Sequence, residues 1–203
     1  MNVIYTDFPI PKPYNTTEIL RYCKAENSTL EVKSLLNECL SEIDGKYKNS
    51  VCYAEFNIKK LENGIDMGFC ETKSKSLEKH LKNCEGIILF AATIGIECDR
   101  LIAKYNRISP AKALMFQAIG AERIEAVCDA FEEKIKQKYQ NKSKMLGVRL
   151  SPGYGDIEFE MQKSIFSVLD CQRKIGLTLN ESLIMSPAKS VTAIIGIGEN
   201  YEY

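Results

Sequence analysis

The sequence predicts an α+β fold in which helices surround a mixed or antiparallel sheet. Three observations support this class. Apolar residues recur at helical spacing over 35–43, they alternate at strand spacing over 52–58, and no repeat or low-complexity linker interrupts the 203 residues. We therefore expect one structural unit over 1–203, with a mainly helical N-terminal part over about 1–48.

Two helices are predicted in this N-terminal part. The stretch NTTEILRYCKA has the pattern of a short helix. A stronger helix follows, because Ser28 and Glu31 form a capping-box pattern and Gly45 supplies a helix stop. Its apolar positions at helical spacing are Leu35, Leu36, Cys39, Leu40 and Ile43.

The following segment changes to the period of a strand. In SVCYAEFNI, alternate residues are apolar and would share one face of a sheet: Cys52, Ala54, Phe56 and Ile58. The dipeptide Asn63-Gly64 then predicts a hairpin, which returns through Ile65, Met67 and Phe69.

The middle of the chain predicts a short helix, a buried strand and a long helix. The short helix is SKSLEKHLKNC, with His80 among lysines on its solvent side, and the fully buried strand is GIILFAAT. Ser109-Pro110 places a capping residue before a proline at the first helical position. The long helix extends to about Tyr139, and Gly120 within it allows close packing.

The last third of the chain contains a loop, a helix and two strands. The loop RLSPGYGD occupies residues 149–156. IEFEMQKSIFSVLDCQRKIG is predicted to be one amphipathic helix that Gly176 closes. Two strand-like segments then flank Pro187.

Composition excludes several classes of function. Twenty-seven basic residues balance twenty-seven acidic ones, so no overall field favours nucleic acid or an anionic membrane. The longest apolar runs have the length of buried strands, and the N-terminus lacks a signal-peptide pattern. We expect a cytoplasmic protein without a nucleic-acid or membrane partner.

The eight cysteines favour buried, reduced thiols over a metal site or a disulfide framework. None of them forms a C-x-x-C motif, and His80 is the only histidine. Free cysteine packs as a small hydrophobe, which suits the apolar segments around most of these positions. We therefore predict no metal site.

The loop RLSPGYGD leaves two interpretations open. It lacks the spacing of a phosphate-binding loop or of a serine nucleophile. It can form a pocket for a zwitterionic small molecule, in which Arg149 binds a carboxylate, Tyr154 offers a ring or hydroxyl, and Glu125 neutralises an ammonium group. Alternatively, Arg149 makes a surface ion pair and the glycines only turn the chain. Composition alone does not choose between these two.

A family resemblance rests on this loop and on the motif that follows it. Arg149, Gly153 and Tyr154 fit the pattern R-x-x-x-G-Y, and a helix and a segment resembling L-T-E-S-x-x-M-x-P come next. The matching positions of that segment are Leu179 to Ser182, Met185 and Pro187. The chain resembles the activation domain of cobalamin-dependent methionine synthase, and its residues 91–131 resemble free-standing relatives of that domain.

The resemblance implies binding of S-adenosylmethionine to support reductive methylation of cob(II)alamin in a separate cobalamin-dependent methionine synthase. The electron would come from flavodoxin or another low-potential donor. The implied binding residues are Glu125, Arg149, Ser151, Gly153, Tyr154 and Tyr201, and no catalytic residue is assigned. Cobalamin would be carried by the partner, since the chain has no D-x-H-x-x-G motif.

Three other outcomes stay open at the level of sequence. One is a self-contained S-adenosylmethionine-dependent methyltransferase acting on a small substrate. A second is a binding or scaffold protein without catalysis. The third concerns assembly, because an exposed apolar patch beside the loop could serve a homodimer instead of a corrinoid-bearing partner.

Overall fold

The computed structural model describes residues 3–199, which form seven helices and ten strands. In chain order they are β1 (Tyr5–Asp7), α1 (Thr16–Tyr22), α2 (Leu30–Ile43), β2 (Ser50–Asn57), β3 (Lys59–Leu61), β4 (Gly64–Asp66), β5 (Glu71–Thr72), α3 (Lys75–His80), β6 (Cys84–Thr93), α4 (Glu97–Ile108), α5 (Pro110–Gln140), β7 (Met145–Leu150), α6 (Met161–Leu169), α7 (Cys171–Ile175), β8 (Thr178–Leu179), β9 (Met185–Ser186) and β10 (Ser190–Gly198).

The central sheet has five strands in the order β1-β2-β6-β10-β7. Every neighbouring pair in it is antiparallel. Two small antiparallel sheets, β3-β4-β5 and β8-β9, lie outside it. The predicted α+β class with helices around an antiparallel sheet is confirmed.

Both faces of the central sheet are covered, and strand β6 contributes to both cores. Ile88 and Phe90 pack in a cluster with residues of α1, α2, α4 and α5, which we call the α5-side core. Ile87 and Leu89 pack with residues of α3, α6 and α7 in a second cluster, the α6-side core. Successive side chains of a strand point to opposite faces, so a strand covered on both sides has a continuous apolar sequence.

Helix α5 begins and packs as its sequence predicts. The Ser109 hydroxyl accepts a hydrogen bond from the Lys112 N–H at 3.5 Å, and Pro110 is the first helical residue. At Gly120 a Cβ atom would lie 2.5 Å from the Sγ of Cys98, too close for any side chain. Glycine therefore lets α5 approach α4 closely.

The predicted capping box of α2 is wrong. The N-cap is Thr29, whose side chain makes no capping hydrogen bond, and the Ser28 hydroxyl is buried without a partner within residues 3–199. Starting one residue later puts Glu31 at the second helical position. A reciprocal capping box requires the acid at the third position, so the expected exchange of hydrogen bonds is lost.

The predicted helix over 157–176 is two helices instead of one. Asp170 has a left-handed backbone (φ 51°), which ends α6 and precedes α7. Gly176, at φ 68°, closes α7 as expected. Five elements were not predicted at all: β1, β5, α4, β7 and β8.

The predicted hairpin is confirmed, with β3 and β4 as its strands, and its loop is Glu62-Asn63 because Gly64 already pairs with Leu61. Gly64 has φ 130°, and a Cβ there would lie 2.3 Å from the Thr72 carbonyl oxygen. His80, predicted among lysines on the solvent side of its helix, is half-buried, and its Nδ1 lies 2.7 Å from the Ser76 carbonyl oxygen.

All eight cysteines are free thiols, and five of them are buried: Cys39, Cys52, Cys98, Cys128 and Cys171. Burial raises the pKa of Cys98 to about 12 and that of Cys39 to about 11. Such thiols stay protonated at neutral pH. Among the helices within residues 3–199, none has the combined length and apolar character needed to cross a membrane.

Candidate functional site

Strand β7 carries the arginine of the predicted site. Among the strands within residues 3–199 it lies at the edge of the central sheet and pairs only with β10, where Arg149 lies opposite Ile195. The next residue, Leu150, is buried in the α6-side core. Since side chains alternate along a strand, Arg149 points to the other face, which α5 covers.

Helix α5 presents three carboxylates to this arginine. Glu125, Asp129 and Glu132 are spaced by four and three residues, so they follow one another along one side of the helix. Arg149 Nη2 donates to Glu125 Oε2 at 2.7 Å, and Nη1 lies 3.4 Å from Asp129 Oδ1. A third hydrogen bond joins Nη1 to Glu132 Oε1. Three carboxylates therefore surround a single guanidinium.

Burial and charge shift the ionisation of this cluster. Burial raises the pKa of Glu132, although the nearby Arg149 charge opposes the shift. Burial would lower the pKa of Arg149, but the surrounding groups, including Glu132 and Glu125, outweigh it and raise that pKa. The guanidinium is thus firmly charged, while Glu132 holds its proton more tightly than an exposed glutamate.

A cavity of about 810 Å³ opens beside this cluster, and we call it the Arg149 cavity. The N-terminal segment and α1 form one wall, and α5 forms the other. Its charged lining residues are Lys12, Glu18, Glu122, Glu125, Asp129, Glu133 and Arg149. The surplus of acids favours a ligand that carries positive charge, and Arg149 offers a place for a carboxylate.

A buried ion pair within α5, Glu122–Arg123, contacts the opposite wall of the Arg149 cavity. Glu122 Oε1 accepts hydrogen bonds from the Asn15 N–H and from Arg123 Nη2, both at 3.0 Å. The side chains of Glu122 and Arg123 are only 6% and 7% exposed. The Arg123 guanidinium also lies 4.3 Å from the centre of the Tyr14 ring. This pair therefore fixes the start of α1 against α5.

Residues 151–157 form a tight double turn. The Tyr154 N–H donates to the Ser151 carbonyl at 3.0 Å, and the Gly153 N–H donates to the Ile157 carbonyl at 2.9 Å. Gly153 has φ 89° and Gly155 has φ 58°, backbone conformations that glycine adopts without a steric cost. The glycines of the predicted loop are thus required by the turn itself.

Asp156, the last residue of that loop, anchors the turn to the start of α3. Its carboxylate accepts hydrogen bonds from the Ser74 hydroxyl at 2.6 Å, the Lys75 N–H at 2.7 Å and the Ser76 N–H at 3.0 Å. Hydrogen bonds from Ser74, Ser76 and the Lys75 backbone hold the pKa of Asp156 far below its usual value. The turn is therefore fixed at both ends.

A second cavity, of about 420 Å³, lies on the far side of the turn. We call it the Gln162 cavity. Its lining includes Ser151 and Pro152 from the turn, Phe159 and Gln162, and residues of the 183–192 segment. Ser151 and Arg149 are two residues apart, about 7 Å along an extended chain. The end of β7 therefore contributes to both cavities.

The structure brings some of the predicted site residues together and separates others. Glu125 and Arg149 pair directly and line the Arg149 cavity, whereas Ser151 lines the Gln162 cavity. Gly153 shapes the turn, and the Tyr154 ring is 56% exposed there. Tyr201 lies outside the described residues.

Sequence reasoning missed four residues of the site: Asp129, Glu132, Asp156 and Gln162. The spacing of the acids on α5 is a signal that could have identified the first two. Within residues 3–199, no group of three or more histidine, cysteine or acidic side chains is arranged to hold a metal ion.

Two comparisons relate the chain to known proteins. The sequence profile of a family described as vitamin B12 dependent methionine synthase, activation domain, matches residues 72–203. The crystal structure of the MetH reactivation domain bound to AdoHcy is similar at a TM-score of 0.66 and 16% sequence identity. The alignment covers 96% of this chain and 72% of that chain. The structural match establishes a shared fold.

Proposed function

This chain belongs to the activation-domain family of vitamin B12-dependent methionine synthase, and from that premise we propose that it binds S-adenosylmethionine. The bound donor would support reductive methylation of cob(II)alamin on a separate cobalamin-binding methionine synthase module. The solved relative with the same fold binds AdoHcy, which is the product left when S-adenosylmethionine gives up its methyl group.

The Arg149–Glu125 ion pair is the observation that carries this proposal. A zwitterionic amino-acid group can replace the pair, with its carboxylate on Arg149 and its ammonium on Glu125, so that no charge loses its partner. The remaining acids of the cavity suit the positive sulfonium of the donor. The adenosine would then extend past the end of β7 towards Ser151.

The role of the chain in this reaction is positional. The corrinoid on the partner undergoes the electron and methyl-transfer chemistry, with the electron supplied by flavodoxin or another low-potential donor. The residues of this chain hold the donor so that its methyl group comes within about 3–3.5 Å of the cobalt. The exposed Tyr154 ring and the neighbouring turn are the surface proposed to meet the partner.

Calorimetric titration with S-adenosylmethionine tests the binding site. Arg149→Ala is expected to weaken binding by about 1.5–3 kcal/mol, roughly ten- to a hundredfold, because a charged hydrogen-bond partner of the carboxylate is lost. Arg173→Ala is the matched control, since Arg173 is 79% exposed in a local pair with Asp170. Equal affinity of wild type and Arg149→Ala would remove Arg149 from the site, and absence of wild-type binding would favour a scaffold protein.

A second arm of the same experiment tests the role of the partner. Methyl transfer from labelled S-adenosylmethionine is followed with and without a cobalamin-loaded methionine synthase module and a reductant. We expect transfer only when the corrinoid protein is present, and slower transfer with Tyr154→Ala. Transfer to a small metabolite without any corrinoid would establish a self-contained methyltransferase and contradict the proposal. Sedimentation of the protein alone tests the alternative in which the exposed apolar patch beside the loop forms a homodimer.

A further inference from the structure

A β-bulge lies directly before Arg149 on β7. Residues 147–148 together face one residue of β10, because the pairing shifts register between Ile195 and Ile197. In a regular strand, side chains three residues apart point to opposite faces. Leu146 and Arg149 nevertheless both lie on the α5 side of the sheet. Bulges are common beside functional sites, where they redirect a side chain, and this one directs Arg149 towards α5.

The three acids that contact Arg149 lie on different sides of its guanidinium. Glu125 and Asp129 line the Arg149 cavity. Glu132 and the bulge residues 147–148 line a separate cavity of about 280 Å³, which Asp129 also borders. Glu132 is the most buried of the three, at 29% exposure against 47% for Glu125 and 73% for Asp129. Glu132 therefore contacts the guanidinium from the side away from the Arg149 cavity.

Binding of the proposed ligand changes which acids hold Arg149. The ligand carboxylate takes the place of Glu125 on Nη2. Asp129 then contributes little, because its Oδ1 lies 3.4 and 3.5 Å from the two Nη atoms and its side chain is largely in solvent. The hydrogen bond from Nη1 to Glu132 Oε1 needs no change in this exchange. Of the three acids, Glu132 is thus the one left to fix the guanidinium.

We propose that Glu132 is a positioning residue of this site, which holds Nη1 of Arg149 so that Nη2 stays directed at the carboxylate of the ligand. This role rests on the proposed function and adds a residue that acts through Arg149 without touching the ligand. The bulge sets the direction of the side chain, and Glu132 fixes its end. A guanidinium held in this way loses less conformational freedom when the carboxylate binds.

The first test observes the guanidinium of Arg149 without any ligand. Rotation about its Nε–Cζ bond exchanges the two Nη groups, and a hydrogen bond that holds Nη1 slows this exchange. NMR of protein with isotope-labelled arginine is expected to resolve two Nη signals, which Arg149→Ala identifies by their loss. Glu132→Met keeps an unbranched side chain of similar size without the carboxylate and is expected to merge the two signals. Asp129→Asn is the matched comparison and is expected to leave them resolved.

The second test asks whether Glu132 acts through Arg149. Calorimetry compares S-adenosylmethionine with its decarboxylated analogue, which lacks only the carboxylate. Glu132→Met is expected to bind S-adenosylmethionine about three- to tenfold more weakly, with a smaller loss for the analogue. Removal of a negative charge by itself would weaken the more positive analogue at least as much. Glu26→Gln, at an exposed position after α1, controls for the change in net charge.

A double variant completes this test. Arg149→Ala combined with Glu132→Met is expected to bind S-adenosylmethionine about as tightly as Arg149→Ala alone. The reason is that a positioning residue has no effect once the residue that it positions is gone. Thermal unfolding checks the fold of each variant, and Glu132→Gln replaces Glu132→Met if the latter does not fold.

The outcomes separate this inference from the proposed function. The inference is wrong if Glu132→Met keeps two Nη signals for Arg149, or if Asp129→Asn merges them as well. It is also wrong if Glu132→Met weakens both compounds equally, or if the double variant binds more weakly than Arg149→Ala. In each of these cases, S-adenosylmethionine binding that depends on Arg149 still supports the proposed function. If wild type does not bind S-adenosylmethionine, the proposed function falls, while the Nη signals still decide whether Glu132 holds Arg149.

Discussion

Arg149 pairs with three acids of α5 and is also the residue proposed to bind the carboxylate of the ligand. It is held by Glu125, Asp129 and Glu132, all from one side of α5. The two interpretations that the sequence left open, an ion pair and a ligand pocket, are therefore compatible. The ion pair keeps the guanidinium oriented, and a zwitterionic ligand can exchange with it without leaving a charge unpaired.

Glu122 provides a stability prediction at the scale of one residue. Glu122→Ala is expected to lower the free energy of unfolding by about 3–5 kcal/mol, because it leaves the buried Arg123 charge without its partner. Urea unfolding at neutral pH measures this change. Glu133→Ala is the control, since Glu133 lines the same cavity but is exposed, and a change within about 0.5 kcal/mol is expected there. Similar losses for the two variants would show that the buried pair is not the cause.

Site residues could be predicted from the sequence where a motif or a local pattern marks them. Arg149, Gly153 and Tyr154 belong to such a motif, and the φ values of the glycines explain it. Glu132 and Gln162 have no such mark. The shifted pKa of Glu132 depends on how α5 packs against β7, and Gln162 Oε1 is buried without a hydrogen-bond partner among residues 3–199 because of what the fold leaves around it. Both are properties of tertiary packing.

At the scale of elements, the contact between the turn and α3 makes stability depend on pH. The pKa of Asp156 is lowered from its usual 3.8 by hydrogen bonds from Ser74, Ser76 and the Lys75 backbone. A carboxyl whose pKa falls on folding contributes stability that is fully present above its unfolded pKa. The contribution is lost as the pH falls below about 3.8 towards the folded value.

Asp156→Asn is therefore expected to be less stable than wild type at neutral pH. The difference in free energy of unfolding should shrink as the pH falls below 3.8, because wild-type Asp156 is then increasingly protonated. Chemical unfolding at a series of pH values between about 7 and 3 measures it. Glu158→Gln, at an exposed acid two residues along, controls for removal of a charge. A difference that does not vary over this range would contradict the role given to Asp156.

The longest elements with a strong apolar period were predicted, and five other elements were missed. Strand β6 is buried at eight of its ten positions, and α5 has 14 buried residues distributed along its 31, so both carry long apolar patterns. Strand β7 has exposed positions at Met145 and Val148 and lies at the sheet edge, so its pattern is weak. Helix α4 does carry a helical pattern, in Cys98, Leu101, Ile102 and Tyr105, and this signal could have been used.

At the scale of the whole molecule, the predicted single unit has a physical basis in the shared sheet. Each core takes residues from the same strands: Val51 of β2 packs in the α5-side core, and its neighbour Cys52 packs in the α6-side core. The two layers of helices pack on opposite faces of the same strands. Loss of one layer would therefore also disturb the strands on which the other layer packs. We predict that both cores unfold in one transition.

Two probes report on the cores separately. The chain has no tryptophan, so tyrosine dominates its near-ultraviolet circular dichroism, and Tyr14, Tyr47, Tyr53, Tyr105 and Tyr139 all belong to the α5-side core. The alkylation of Cys171 under denaturant, quantified by mass spectrometry, reports on the α6-side core. Coincident transitions by independent probes are the signature of cooperative unfolding.

The variant Leu89→Ala tests whether a substitution in one core also destabilises the other core. Leu89 is fully buried in the α6-side core, so its truncation is expected to cost about 2–5 kcal/mol. Because β6 belongs to both cores, the tyrosine transition should move to lower denaturant by the same amount as the Cys171 transition. Leu61→Ala, at a position of β3 that is 41% exposed, is expected to move neither by much. If Leu89→Ala advanced only the Cys171 transition, the two sides of the sheet would unfold separately, and the chain would contain two units instead of one.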